Sequence, residues 1–114
     1  MEIELPKIAG ISEEKIKNIQ ADIEEMYDLD SGDITRKRRF APIVEARRFF
    51  AVYLHIYQNM RKLRVSEILG VNHTYLTYCV RRDYDYNQID NSYRAKRKKI
   101  MGFLKEKYGN KLEN

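Results

Sequence analysis

The sequence predicts an all-α fold of five to six helices, and two observations support this prediction. Apolar residues recur three or four positions apart along most of the 114-residue chain, as they do on the buried face of a helix. No alternation of apolar and polar residues is long enough to indicate a strand. A chain of this length is expected to form one core, so we predict an irregular lead-in over residues 1–11 and a single helical domain over residues 12–114.

The first two helices are marked by capping and breaking residues. Ser12 is suited to be an N-cap, and apolar residues at helical spacing then continue to about Leu29. A stretch of turn-forming residues follows, and the basic run 36–39 is expected to lie in a loop. Proline is tolerated only in the first turn of a helix, so Pro42 marks the start of a second helix that is expected to end near Met60.

Three further helices complete the predicted fold. The third is expected over about residues 65–69 and is closed by Gly70, which can adopt the positive φ of a sharp turn. The fourth is expected over residues 73–82. Residues 83–91 are polar and include Tyr, and we predict that they connect the fourth helix to a fifth that begins near Ser92.

Charge is unevenly distributed along the chain. Residues 1–33 carry three Lys against ten Asp or Glu, a net charge of −7, whereas residues 34–114 carry nineteen Lys or Arg against seven acidic residues, a net charge of +12. A segment this basic is typical of proteins that bind polyanions. The alternative is a solvated basic surface that maintains solubility.

A helix-turn-helix is predicted over about residues 64–83. Gly70 closes a short helix, the apolar Val71 fills the corner, and Asn72 is an N-cap for a second helix whose first turn is polar. In DNA-binding proteins with this motif, the first turn of the second helix enters the major groove. A purely structural helical hairpin would show the same pattern and is the alternative.

The stretch from about Ile16 to Arg82 resembles the C-terminal, duplex-DNA-binding domain of the bacterial replication initiator DnaA. The likeness runs from the first helix through Asp33-Ile34 and the basic loop to Asn72-His73-Thr74, which is similar to the Asp-His-Thr-Thr signature of that family. It implies a Trp-repressor-like helix-turn-helix fold. The chain has no G-x-x-x-x-G-K-[ST] loop, so the ATPase activity of the full initiator is not expected.

The resemblance implies roles for individual residues. Arg39 would enter the minor groove, where a planar cation suits a narrow electronegative slot. Arg47 would present a bidentate fork to a guanine or a phosphate, while His73 and Thr74 would contact DNA from the recognition helix. The candidate DNA-contacting residues are Arg36, Lys37, Arg38, Arg39, Arg47, Arg48, Asn72, His73, Thr74 and Tyr75.

The same resemblance indicates phosphate contacts by Lys37, Arg38 and Arg48, which would set the salt dependence of binding. Three departures from the family leave the DNA site open. Asn72 stands in place of the signature Asp and Tyr75 in place of a Thr, while Arg48 stands where another polar residue is usual. DNA binding is compatible with these changes, but recognition of the family's usual origin site does not follow.

Several of these residues also have structural explanations. Arg47 could form a surface ion pair with Glu45 or Asp33, and His73 could cap or pack at a helix start. The basic run 96–99 in the fifth helix is either a solvated face or a further set of phosphate contacts. His55 has no partner signals and is expected to be structural.

We therefore expect a stand-alone, sequence-selective binder of double-stranded DNA that acts as a replication accessory or a transcriptional regulator, of the kind that phages and mobile elements carry. A replication or transcription protein is a further expected partner. The alternative is a protein-interaction adaptor that keeps the initiator-like fold and binds an acidic partner. An RNA duplex is a weaker candidate because its deep, narrow major groove excludes a helix.

No enzymatic activity, cofactor or metal is expected. The sequence shows no pattern of paired carboxylates, no Cys/His cluster and no nucleophile beside a base. Cys79 is the only cysteine and is expected to be a small buried residue. No apolar run approaches the roughly 20 residues of a membrane span and no signal-peptide pattern is present, so we expect a soluble, cytoplasmic protein.

Overall fold

The computed structural model describes residues 11–111, which form five α-helices and two short helical turns. The α-helices are α1 (Glu13–Met26), α2 (Ala41–Val52), α3 (Lys62–Leu69), α4 (His73–Ile89) and α5 (Asn91–Tyr108). A 3-10 turn, Asp33–Thr35, lies between α1 and α2, and a π-helical turn, Tyr53–Tyr57, extends α2. No strand occurs within these residues, so the all-α prediction is confirmed. The predicted lead-in lies outside the described residues, apart from Ile11.

Helix α2 is the centre of the fold and packs against α1, α4 and α5. Six consecutive residues, from Phe49 to Leu54, are fully buried, so the end of this helix is enclosed on every side. The apolar spacing in the sequence, which is typical of a helix with one buried face, therefore underestimates how much of α2 is buried. Helices α1, α4 and α5 each bury one face on α2, with core residues that include Ile19, Ile23, Leu76, Ile100 and Leu104, whereas α3 packs against α4 and the two short turns.

The helix starts follow the predicted capping signals. Ser12 Oγ accepts a hydrogen bond from the Lys15 amide at 3.2 Å, and Asn72 Oδ1 accepts one from the Tyr75 amide at 2.9 Å. Gly70 ends α3 with a φ of 67°, a left-handed conformation that suits glycine. Each of these interactions joins residues close in sequence, which is why the sequence predicts them.

The predicted end of α4 was wrong. We expected residues 83–91 to be a connection, but α4 continues to Ile89, and Asp90 caps α5 by accepting from the Tyr93 amide at 3.0 Å. The physical reason is that Asp83, which looks like a loop residue in the sequence, is 4% exposed and is bound by side chains of α5. The third helix also begins earlier than predicted, at Lys62.

A buried polar cluster ties the end of α2 to the end of α5. Gln58 Nε2 donates to the Tyr53 hydroxyl at 2.7 Å and to the Tyr108 carbonyl oxygen at 3.1 Å. The Tyr53 hydroxyl donates to the Leu104 carbonyl oxygen at 3.0 Å. Nδ1 of His55 lies 2.7 Å from the Met60 carbonyl oxygen, a local contact that fits the structural role expected for this histidine.

Candidate nucleic-acid interface

One surface groove joins the basic loop, residues 36–39, to the start of α4. It has a volume of about 710 Å³. Its described lining includes six Arg or Lys side chains and no carboxylate. The predicted site residues that line it are Arg36, Lys37, Arg38, Arg39, Arg47, Arg48, Asn72 and Tyr75. The fold therefore brings together eight of the predicted residues from three separate parts of the chain.

The basic loop begins at an acidic turn that orders its first residue. Asp33 is 5% exposed, and its carboxylate accepts from Arg36 Nη1 at 2.9 Å and from the Asp30 amide at 2.9 Å. Lys37, Arg38 and Arg39 follow and are exposed to solvent. Three adjacent cations are therefore free to meet an anion.

Arg47 lies beneath the basic loop rather than on the surface. Its side chain is buried, and its Nε donates to the Ile34 carbonyl oxygen at 2.7 Å. Nη2 donates to the carbonyl oxygens of Arg36 and, at 3.4 Å, of Arg38. Its partners are thus carbonyl oxygens, not the carboxylates considered in the sequence. This placement differs from the direct DNA contact that we expected.

Arg48 is also enclosed, at 9% exposure, because two aromatic rings cover its guanidinium. The guanidinium carbon lies 5.0 Å from the ring centroid of Tyr86 and 5.8 Å from that of Tyr93, within cation–π range. Arg48 was expected to contact phosphate, and in the structure its side chain is largely buried although it lines the groove. It is a fixed charge behind the groove that joins α2 to α4 and α5.

The first turn of α4 presents its polar residues to solvent. Asn72, His73 and Thr74 are exposed, whereas Tyr75 is half-buried against the groove. The side-chain carbonyl oxygen of Asn72 caps α4 and lies 2.9 Å from the Tyr75 amide nitrogen. His73 and Thr74 do not line the groove themselves. They are nevertheless accessible at the start of the same helix.

Three further residues of α4, none of them among the predicted site residues, extend this surface. Tyr78 is 50% exposed, and the guanidinium carbon of Arg82 lies 5.0 Å from its ring centroid. Arg81 is exposed beside them. Thr74, Tyr78 and Arg81 are spaced by four and three residues, which places them on one helix face. That spacing is visible in the sequence and could have identified them.

The basic run 96–99 of α5 is partly neutralised within the chain. Lys96 Nζ lies 2.9 Å from Glu45 Oε2, and Arg97 Nε lies 3.0 Å from each carboxylate oxygen of Asp83. None of these basic residues lines the groove. Of the two alternatives for this run, the structure favours a face without a role in the candidate interface.

The acidic α1 pairs with basic residues of other helices. Glu13 pairs with Arg64 of α3, and Asp22 Oδ2 lies 2.8 Å from Lys107 Nζ of α5. Neither partner belongs to the basic loop or to the first turn of α4. These two carboxylates of α1 therefore offset positive charge away from the groove.

Cys79 is the only cysteine of the chain and is buried. Burial raises the pKa of the Cys79 thiol, although Tyr75 and Arg48 oppose that shift, so burial disfavours the thiolate form. Within residues 11–111, no three His, Cys, Asp or Glu side chains are close enough together to hold a metal ion. No helix in the same range has both the length and the apolar composition needed to cross a membrane.

Comparisons with known protein families, with curated protein sequences and with solved structures found no match to this chain. The functional conclusion therefore depends on the geometry of the groove and on the residues that line it. The strongest feature is that two segments far apart in sequence, the basic loop and the start of α4, meet at one site.

Proposed function

We propose that this chain binds double-stranded DNA, with the first turn of α4 in the major groove and the basic loop against the phosphates and the minor groove. The observation that carries the proposal is the shared groove, in which the basic loop lies beside Asn72 and Tyr75. The succession of α3, the left-handed turn at Gly70 and α4 supports a helix-turn-helix of the DNA-binding kind.

Electrostatics supports a polyanion as the ligand. Six positively charged side chains line one groove, and one of them, Arg36, pairs with the carboxylate of Asp33. Their mutual repulsion is relieved when phosphates approach, and the counterions that DNA releases add to the affinity. A carboxylate-rich protein surface would also neutralise these cations, but it has no base edges for the exposed first turn of α4 to contact.

Sequence selectivity is proposed for three exposed side chains. His73 and Thr74 stand at the start of α4, where recognition helices contact base edges. Arg39 is exposed in the basic loop and suits a narrow minor groove. The resemblance to the DnaA C-terminal domain supports this division of roles. A replication-accessory or regulatory role, and a protein partner from either process, are parts of the same proposal.

Selection from a random duplex library tests the proposal directly. We expect one family of sites to be enriched, and we expect Arg39→Ala and His73→Ala to reduce discrimination between that site and scrambled DNA. Lys98→Ala, which removes a cation from the exposed face of α5, is the matched control. A pool that enriches nothing, combined with a shallow dependence of affinity on salt, contradicts the proposal.

A protein-interaction adaptor is distinguished by the same variants. An adaptor that binds an acidic protein elsewhere on its surface would keep that complex when Arg39 and His73 are both replaced. Labelled DNA and RNA duplexes compared in one titration separate the two nucleic acids, because only the DNA major groove admits α4. Preference for the RNA duplex would contradict the proposed use of this helix.

A further inference from the structure

We propose that Arg47 is a positioning residue that holds the basic loop against α4, so that both parts of the interface bind as one unit. This inference rests on the proposed DNA binding for its functional meaning, but its structural part does not. Arg47 belongs to α2, the central helix, and reaches the carbonyl oxygens of Ile34, Arg36 and Arg38. These three carbonyls span the start of the basic loop.

The loop has few other interactions that define its shape. Its backbone hydrogen bonds are local ones, from the Arg36 amide to Asp33 at 3.1 Å and from the Arg38 amide to Arg36 at 2.9 Å. Four consecutive cationic side chains repel one another, which favours extended conformations of the loop. Without Arg47, the carbonyl oxygens of Ile34 and Arg38 would lose this donor, while that of Arg36 would keep only the Arg38 amide. The hydrogen bonds from Arg47 therefore hold the loop backbone in place against this repulsion, although the charge of Arg47 has the same sign as the four cations.

Only arginine fits this task. A guanidinium carries five N–H donors in a planar fork, so one side chain can reach several carbonyls in fixed directions. The donation from Nε and from Nη2 to different residues uses that fork. A lysine ammonium keeps the charge but places its donors on a single nitrogen, so it cannot hold the loop in the same way.

Arg47 lies beside the start of α4 as well as beneath the loop, since it lines the groove together with Asn72 and Tyr75. Burial raises the pKa of the Tyr75 hydroxyl, and the neighbouring Arg47 guanidinium is the main opposing influence. Both residues line the groove, and Tyr75 lies next to the exposed Thr74. The same buried cation is thus beside the loop that carries Arg39 and beside the turn that carries Thr74. Displacing Arg47 would remove the hydrogen bonds that join the loop to α2 beside the start of α4.

Native-state cleavage by trypsin tests the positioning role without DNA, because the basic loop is itself a tryptic site. We expect Arg47→Met and Arg47→Lys to speed cleavage within residues 36–40 by about tenfold, since local opening no longer has to break the carbonyl contacts. Arg64→Met removes the same charge from an exposed ion pair and is the matched control. Urea denaturation identifies any change that is global rather than local.

DNA titrations then separate positioning from direct contact. A positioning role predicts that Arg47→Lys loses as much affinity as Arg47→Met, because the ammonium keeps the charge but not the fork. A direct phosphate contact predicts that Arg47→Lys retains most of the affinity. If Arg47→Met does not fold, Arg47→Lys carries both measurements.

Four outcomes can be distinguished. Cleavage no faster in the Arg47 variants than in Arg64→Met overturns the inference, and so does faster cleavage with unchanged DNA affinity. Faster loop cleavage in a protein whose wild type binds no DNA refutes the proposed function, yet supports Arg47 as the residue that holds the loop. Faster cleavage together with equal affinity losses in both Arg47 variants supports the whole inference.

Discussion

Arg97 donates from Nε to both carboxylate oxygens of Asp83, at 3.0 Å each, and joins α5 to α4. The Tyr93 hydroxyl donates to the same carboxylate at 2.7 Å. The side chains of Arg97 and Asp83 are only 18% and 6% exposed. An ion pair so far removed from water is stable only while both partners are present, because each one compensates the desolvation of the other.

Asp83→Ala is expected to lower the free energy of unfolding by about 3 kcal/mol, since it leaves the Arg97 guanidinium and the Tyr93 hydroxyl largely buried without their acceptor. Urea denaturation measures this change. Asp85→Ala, which removes an exposed carboxylate from the same helix, is the control and should change stability by less than about 0.5 kcal/mol. Equal losses in the two variants would show that the buried pair is not what holds α4 to α5.

Replacement of cations in the basic loop is expected to change the salt dependence of DNA binding. Lys37→Ala should weaken all duplexes alike and reduce the slope of log affinity against log salt by about 1, because one phosphate contact is lost. The control is Lys98→Ala on α5, which should leave the slope unchanged. A slope reduced by the α5 variant and not by the loop variant would show that DNA binds at α5, which contradicts the proposed interface.

Two glycines are expected to respond oppositely to alanine. Gly70 has a φ of 67°, so Gly70→Ala should destabilise the chain by about 1 kcal/mol through backbone strain. Gly102 lies inside α5, and a Cβ there meets no atom within 4 Å, so Gly102→Ala should stabilise by up to about 1 kcal/mol. Thermal unfolding of both variants checks the pair. An unfolding temperature that shifts in the same direction in both variants would contradict the left-handed conformation of Gly70 or the helical conformation of Gly102.

Stability is expected to fall at high pH. Burial raises the pKa of Tyr27 and of Tyr93. The carboxylates of Glu45 and Asp83, which accept hydrogen bonds from these hydroxyls, raise both pKa values further. A folded-state pKa above the unfolded value means that the stabilisation is fully present below the ordinary tyrosine pKa of about 10 and is lost as pH rises beyond it.

Urea midpoints measured across that range test the pH prediction, with tyrosine absorbance recording ionisation. The exposed Tyr84 gives the control, because Tyr84→Phe should leave the pH dependence unchanged. Midpoints that stay constant while every tyrosine ionises would contradict the burial of Tyr27 and Tyr93.

Much of the fold follows from short-range signals in the sequence. Ser12 and Asn72 cap helices through amides three residues ahead, and Gly70 supplies a left-handed turn, so each can be recognised without knowing what lies elsewhere. The basic loop and the polar first turn of α4 were recognisable as candidate contacts for the same reason. Their meeting in one groove required the packing of both against α2.

The sequence by itself determined the helical class, the caps and the uneven charge, since these depend on neighbouring residues or on composition alone. Only the tertiary structure decided which charges face solvent. Asp83, in a stretch that looks like a polar loop, is buried because Arg97 of another helix donates hydrogen bonds to it. Arg47 lies under the basic loop because carbonyl oxygens there accept its hydrogen bonds. Both charges are buried because partners distant in sequence compensate their desolvation, and the fold alone brings those partners together.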